Sequence, residues 1–226
     1  MKQNFKSLIL SDLDSVVLRD PATSSRLEAA LFSSGFHAIL CYRFCHVLWQ
    51  KKWHFLARFL SQTVRFLTGV EIHPAASIGS GFFIDHGMGV VIGETSEIGN
   101  NVTLYQNVTL GGTKLFDAQG KMLGKRHPSI GNNVVIGSGA QVLGPIKIGD
   151  DVKIGANAVV IKDVESGLTV VGVAAHKVSQ NKKAEQTFCA YGIEKNMLDP
   201  VEEEIKKLNI KIKELEEKIV VEKKVK

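Results

Sequence analysis

From Ile72 onward the chain counts in sixes, and few folds accommodate that number. Ile72, Ile78, Ile84 and Val90 keep the beat, which restarts at Ile92, Ile98 and Leu104. A longer run holds Ile130, Ile136, Val142, Ile148, Ile154 and Val160. Four residues behind each member of that run stands a small or apolar residue: Val134, Ala140, Ile146, Val152, Ala158 and Val164. A helix repeats every 3.6 residues and a strand every two, so neither produces this pattern. A parallel β-helix does, with each hexapeptide forming one short side of a triangular coil. The beat residue then points inward, and Gly or Asn takes the corners, where a positive φ costs them least. Three hexapeptides close a coil, so residues 72–171 hold about four to five coils.

The beat fails twice. It slips by two residues at Asp85-His86-Gly87, and it pauses for twenty residues between Leu110 and Ile130. Twenty is three hexapeptides and two residues over, so part of "GGTKLFDAQGKMLGKRHPS" leaves the coil as an excursion over about 112–128. Gly111, Gly112, Gly120 and Gly124 suit such a loop. In a rigid repeat, departures are where function is grafted.

The flanks follow other periods. Residues 1–69 read as helices, with apolar residues at helical spacing in Phe36, Ile39, Leu40, Phe44, Val47, Leu48 and in Phe55, Leu56, Phe59, Leu60, Val64, Leu67. A break at Arg19-Asp20-Pro21 predicts a helix cap at Thr23 or Ser24, and Gly69 suits the end of the last helix. Residues 70–175 form the β-helix domain. The remainder, 176–226, carries a heptad seam over about 200–222 in Val201, Ile205, Leu208, Ile212, Leu215 and Ile219, with Pro200 as helix start. The predicted class is α+β: an N-terminal helical region, a β-helix of hexapeptide repeats and a C-terminal heptad helix.

Composition narrows the setting. The first apolar run stops at Asp12 and Asp14, too short for a signal peptide, and Arg58 and Arg65 interrupt the best candidate for a membrane span. Cys41, Cys45 and Cys189 are an odd count without framework spacing, which predicts a reduced, cytoplasmic protein. No membrane or nucleic-acid partner is expected. The net charge is +5, and much of the positive charge lies in the last fifty residues, where it suits either a polyphosphate ligand or a solvated helix face.

A lone histidine at a corner is usually a surface decoration, but His86 coincides with the slip, which favours a general base able to take a proton from an attacking alcohol. Glu71, in the preceding coil, either orients it or faces solvent. Lys125-Arg126-His127-Pro128 closes the excursion. It is either a basic loop tip or a clamp in which Arg126 forks onto a substrate carboxylate beside His127. Asp20 either caps the helical break or pairs with an ammonium group. His37, Cys41 and Cys45 share a helical face but lack zinc-type spacing and read as core, so no metal is expected. No P-loop or Rossmann glycine pattern is present.

The run "VEIHPAASIGSGFFIDHGMGVVIGETSEIGNNVTLYQNVTLGGT", followed by "KRHPSIGNNVVIGSGAQVLGPIKIGDDVKIGANAVVIKDV", closely resembles serine O-acetyltransferase, within the left-handed β-helix acyltransferases. The likeness covers about residues 19–175 and includes "RDPA" upstream. It implies transfer of acetyl from acetyl-CoA to L-serine, giving O-acetylserine for cysteine synthesis. It also implies a left-handed winding, against the usual crossover rule. His86 falls on the family's general base and Glu71 on the acid that orients it, more commonly Asp. Asp20, Asp85, Arg126 and His127 fall on positions that hold the amino acid, where L-cysteine can also bind as inhibitor. Gly112, Thr113, Gly139, Ala140 and Ala158 fall along the pantetheine arm between subunits of a trimer.

Three departures accompany the likeness. The helical sequence before "RDPA" is short, so the assembly is expected to stop at a homotrimer. The family's "GVPAR" is "GVAAH" here, with Lys177 available to substitute near the CoA phosphates. The chain ends in "VEKKVK" rather than an apolar tail, which makes association with cysteine synthase doubtful. The heptad tail either forms a three-stranded coil or folds back on its own subunit. No activated Ser or Cys nucleophile stands near His86, so direct attack in a ternary complex is expected. Rival readings are an acetyltransferase for a sugar or other small hydroxyl, a zinc β-helix carbonic anhydrase, and a scaffold without activity.

Overall fold

The computed structural model describes residues 4–113, 124–172, 205 and 208–213. Four helices come first. Helix α1 (Phe5–Arg19) is capped by Asn4, whose side chain accepts the Lys6 N–H. Helix α2 (Arg26–Phe32) is capped by Ser25 rather than by Thr23 or Ser24. Ser25 stands three residues before Glu28 and takes that N–H, while the Glu28 carboxylate binds the Ser24 hydroxyl and N–H. Thr23 is engaged in the turn at the break. Helix α3 (Ser34–Gln50) and helix α4 (His54–Thr68) pack as a pair, and α4 ends at Gly69 with φ 70°, as its position in the sequence predicts.

A buried ion pair fastens the helices to the coil. Arg43 of α3 grips both carboxylate oxygens of Asp12 in α1 at 3.0 and 3.1 Å, and it donates to the carbonyls of Ile78 and Gly79. Asp12 also accepts the Phe82 N–H at 3.0 Å. Two buried charges are tolerable only with their hydrogen-bonding capacity filled in this way.

Helix α4 turns much of its apolar stripe outward. Ala57, Ser61 and Thr68 are buried, whereas Phe55, Phe59, Phe66 and Leu67 lie open. Small residues let α4 approach α3 closely and leave the aromatic face outward.

From Glu71 the chain winds in coils of three strands. The first coil holds β1 (Glu71–Ile72), β2 (Ser77–Ile78) and β3 (Phe83–Ile84), and the second β4 (Val91–Ile92), β5 (Glu97–Ile98) and β6 (Thr103–Leu104). The third holds β7 (Thr109–Gly111), β8 (Ser129–Ile130) and β9 (Val135–Ile136). The fourth holds β10 (Gln141–Leu143), β11 (Lys147–Ile148) and β12 (Lys153–Ile154), and β13 (Val159–Val160) and β14 (Thr169–Val170) begin a fifth. All pairings are parallel and run coil to coil, giving three sheets ordered β1-β4-β7-β10-β13, β11-β8-β5-β2 and β14-β12-β9-β6-β3. We refer to them as the first, second and third faces.

The beat residues fill the prism. Ile84, Ile92, Leu104, Leu110, Ile136 and Val142 are essentially inaccessible, and so are Val134, Ala140 and Val152 of the trailing series. Asn101, Asn107, Asn133 and Asn157 take the corners with φ near 60°, where Asn is the side chain that best tolerates that region.

Two details differ from the sequence reading. Leu110 and Ile130 occupy neighbouring faces, so a twenty-residue step replaces one of six, and among the described residues no strand of the coil lies between β7 and β8. Val164 pairs with Ile148, a beat residue, so the last coil is two residues short and Val164 belongs to the leading series there. The break between compact units falls between Gly172 and Val173. Beyond it, residues 205 and 208–213 are helical, with Ile205, Leu208 and Ile212 exposed. Val201, Leu215, Ile219 and Lys177 lie outside the described residues. Among the described residues no helix is long and apolar enough to cross a membrane.

Candidate active site

The two interruptions of the repeat lie on opposite edges of the first face. Between β3 and β4, at the corner joining the third face to the first, the slip places Asp85, His86 and Gly87. The Glu71–Val91 pairing spans twenty residues where Val91–Thr109 spans eighteen, so the two extra residues are spent at this corner. His86 takes φ 60° and Gly87 φ 83°. A left-handed histidine costs about 1–3 kcal/mol, and its carbonyl is held by the Ser34 hydroxyl at the start of α3, at 3.1 Å.

The result is a histidine thrust out of the wall, with its side chain 71% exposed and Asp85 Oδ1 4.0 Å from Nε2. Met88 and, on α4, Phe66 and Leu67 are also exposed, and Met88 lies directly against Gly69. Glu71 is close by through its backbone, whose N–H donates to the Val90 carbonyl. Its carboxylate is instead paired with Arg65 at 3.2 Å, and no hydrogen bond joins it to His86. Asp20 ends α1, where its two oxygens accept the Ala22 N–H and the Thr23 hydroxyl at 2.8 and 2.7 Å. Neighbouring Arg19 reaches Thr103 on the third face.

The other edge of the first face carries the returning excursion. Arg126 Nη2 pairs with Glu94 at 2.7 Å, and Lys125 pairs with Glu97 at 3.2 Å. Three contacts bind the segment to Thr95: its hydroxyl accepts the N–H groups of Arg126 and His127 and lies 2.8 Å from His127 Nδ1. His127 is buried, and a Cβ at Gly93 would overlap its imidazole, so only glycine leaves room for the ring. Burial, and then the Arg126 charge, push the His127 pKa down to about 4. His73, one coil below, is likewise pushed to about 4, chiefly by burial and then by Arg58. Both are neutral hydrogen-bonding groups at pH 7.

The remaining predicted residues divide between the same two edges. Gly112 and Thr113 leave the coil beside the Arg126–His127 segment, with Gly112 close against both residues. Gly139, Ala140 and Ala158 stand higher on the edge that bears His86. Gly139 has φ 73°, and a Cβ there would meet Asn157. The methyls of Ala140 and Ala158 point into the core, and their backbone groups are already paired within the coil, so these two shape the wall rather than display donors. His37 Nε2 donates to the Ala30 carbonyl at 2.8 Å, Cys45 is buried with its thiol raised by that burial to about 11, and no group of three or more metal-ligating side chains occurs among the described residues.

Sequence reasoning missed Glu94, Thr95 and His73, which sit at a corner without breaking the beat. "GET" directly after Ile92 is the available signal, because it sets a carboxylate and a hydroxyl one coil below the corner at which the excursion leaves. Gln106, one coil above His86, was also missed; its buried Oε1 has no partner.

A parallel coil of hexapeptides, with an exposed histidine at one edge and an arginine–histidine segment at the other, has the architecture of a hexapeptide-repeat transferase. The family model described as "Bacterial transferase hexapeptide (six repeats)" matches residues 127–162, and "Serine acetyltransferase, N-terminal" matches residues 1–41. A serine acetyltransferase from Helicobacter pylori is 56% identical over 170 residues, spanning 75% of this chain and 96% of the relative. One from Bacillus subtilis is 49% identical over 211 residues, 93% of each chain. The crystal structure of Neisseria gonorrhoeae serine acetyltransferase in complex with serine superposes with TM-score 0.70 at 42% identity, covering 76% of this chain and 68% of that one. A serine acetyltransferase complexed with cysteine gives TM-score 0.71 at 43% identity, covering 77% and 70%. The chain belongs to the serine acetyltransferase family, and its fold is the left-handed parallel β-helix of that family.

Proposed function

We propose that this protein transfers the acetyl group of acetyl-CoA to the hydroxyl of L-serine, giving O-acetylserine and CoA. One observation carries the mechanism: the base and the carboxylate clamp lie on opposite edges of one face of a rigid prism. Neither edge is a complete site. Packing three prisms about a threefold axis sets the His86 edge of one against the Arg126 edge of the next. The exposed Phe66, Leu67 and Met88 beside His86 support such an interface, since monomers rarely leave apolar patches of this kind open. We therefore infer a homotrimer with sites between subunits.

In that cleft Arg126 and His127 hold the serine carboxylate, and Asp20 and Asp85 hold its ammonium group. His86 takes the hydroxyl proton as the serine oxygen attacks the thioester carbonyl. Collapse of the tetrahedral intermediate expels the CoA sulfur, which receives the proton back from the imidazolium. Glu71 orients His86 once it exchanges Arg65 for the imidazole on assembly. The pantetheine arm runs between Gly112 and Thr113 of one subunit and the Gly139–Ala140 and Ala158 wall of its neighbour. No step requires a metal.

The liganded relatives support serine as acceptor and cysteine as an inhibitor of the same pocket. The reading places the enzyme in the cytoplasm. Thiol release from acetyl-CoA across amino acids and sugars tests the assignment. Serine should give the highest kcat/KM; a sugar or other small alcohol that outcompetes it would overturn the substrate. Light scattering should return one threefold unit, and a monomer would overturn the shared site.

A further inference from the structure

We propose that Thr95 is a positioning residue for the amino-acid end of this site, docking the returning excursion and holding His127 as a fixed Nε2–H donor. The inference rests on the serine-clamp reading above for its kinetic consequence, but its structural content stands apart from it.

A hydroxyl has one proton and two lone pairs, and all three of those on Thr95 are committed to this segment. Its oxygen accepts the backbone N–H of Arg126 at 2.9 Å and that of His127 at 3.1 Å. Its proton is directed to His127 Nδ1, at 2.8 Å. The Thr95 backbone contributes twice more: its N–H donates to the same Nδ1 at 3.1 Å, and its carbonyl accepts the Lys125 ammonium at 2.7 Å. One residue thus fixes three consecutive residues at the point where the long excursion rejoins the coil.

The tautomer of His127 follows from this geometry. A backbone N–H can only donate, so Nδ1 must be the acceptor, and the proton of the neutral ring sits on Nε2. Nε2 has no hydrogen-bond partner among the described residues. It lies in the gap left by Gly93 and close to Gly112. Burial, and then the Arg126 charge, keep the ring neutral, with its pKa pushed down to about 4. His127 is therefore a permanent donor to the substrate and cannot act as a second base.

Replacing Thr95 with Val keeps the branched shape but removes the hydroxyl, whereas Thr95→Ser keeps it. In the full-length enzyme we expect Thr95→Val to raise the KM for serine about tenfold, the usual weight of one or two hydrogen bonds. The KM for acetyl-CoA should change less than about twofold, and Thr95→Ser should behave as the parent. Nitrogen-15 shifts of the His127 ring at pH 7 should report a single Nε2–H tautomer in the parent, in Thr95→Ser and in Thr95→Val, since all three keep the backbone N–H that donates to Nδ1. An Nδ1–H tautomer in the parent overturns the proposal, and this measurement decides it even if Thr95→Val fails to fold. An unchanged serine KM in a folded Thr95→Val enzyme also overturns it. Failure of the parent to use serine at all, with the Nε2–H tautomer observed, would instead sink the substrate assignment alone.

Discussion

The two edges of the first face are built in opposite ways. At the Arg126 edge nearly every polar group is already paired: Glu94 with Arg126, Glu97 with Lys125, and Thr95 with His127. At the His86 edge the side chain stands 71% exposed, its nearest carboxylate oxygen is 4.0 Å away, and apolar side chains around it lie open. In the proposed mechanism the clamp is preorganised within one chain, whereas the base awaits a second. A binding group gains from being rigid before the substrate arrives. A base must be reached by both substrates, and desolvating it only on assembly would confine the chemistry to the trimer we propose.

The comparison can be broken most directly at its exposed end. His86→Ala should lower kcat by about 10²–10⁴, or about 3–5 kcal/mol of barrier. Glu71→Gln should cost less, since it removes orientation and not the base. Stopped-time thiol assays read both, and near-normal turnover in His86→Ala would end the mechanism.

The claim that the edges belong to different chains has its own test. Neither His86→Ala nor Arg126→Ala should support efficient turnover alone, yet trimers assembled from both should recover activity. Random assortment leaves about a quarter of interfaces with an intact pair. Absence of any recovery in co-expressed, co-purified enzyme would place both groups in one chain.

A smaller effect is expected at the clamp. Arg126→Ala should raise the KM for serine about ten- to hundredfold with little change for acetyl-CoA, as loss of one charged pair predicts. Equal changes in both would show that the residue supports the fold instead.

The smallest effect is one of stability. His73 and His127 titrate near 4 in the folded chain and near 6.5 when unfolded. Between those values the unfolded chain binds protons that the folded one does not, so stability falls as pH drops from about 6.5 toward 4. Replacing both histidines with Gln should flatten the slope of Tm against pH in that window, measured by scanning calorimetry. An unchanged slope would show that these rings are solvated.

The fold was legible because hexapeptide periodicity is a local code: each inward residue announces itself six positions after the last. The helical cap shifted to Ser25 because capping depends on which hydroxyl reaches the Glu28 N–H, and spacing alone does not say. The outward turn of the aromatic face of α4 was not legible, since an apolar stripe signals burial without naming the surface that buries it. Ala57, Ser61 and Thr68 won the inward position by allowing closer approach to α3.

By itself the sequence determined the coil, its two interruptions and the chemistry-bearing residues placed there, because repeats and their breaks are written in residue spacing. Only the tertiary structure decided that those interruptions lie at opposite edges of a single face, that Glu71 pairs with Arg65 in the protomer, and that Thr95 holds three residues of a loop that returns some thirty positions later. These are contacts between coils and across corners. They depend on how many residues each turn consumes, which becomes fixed only when the strands of successive coils pair.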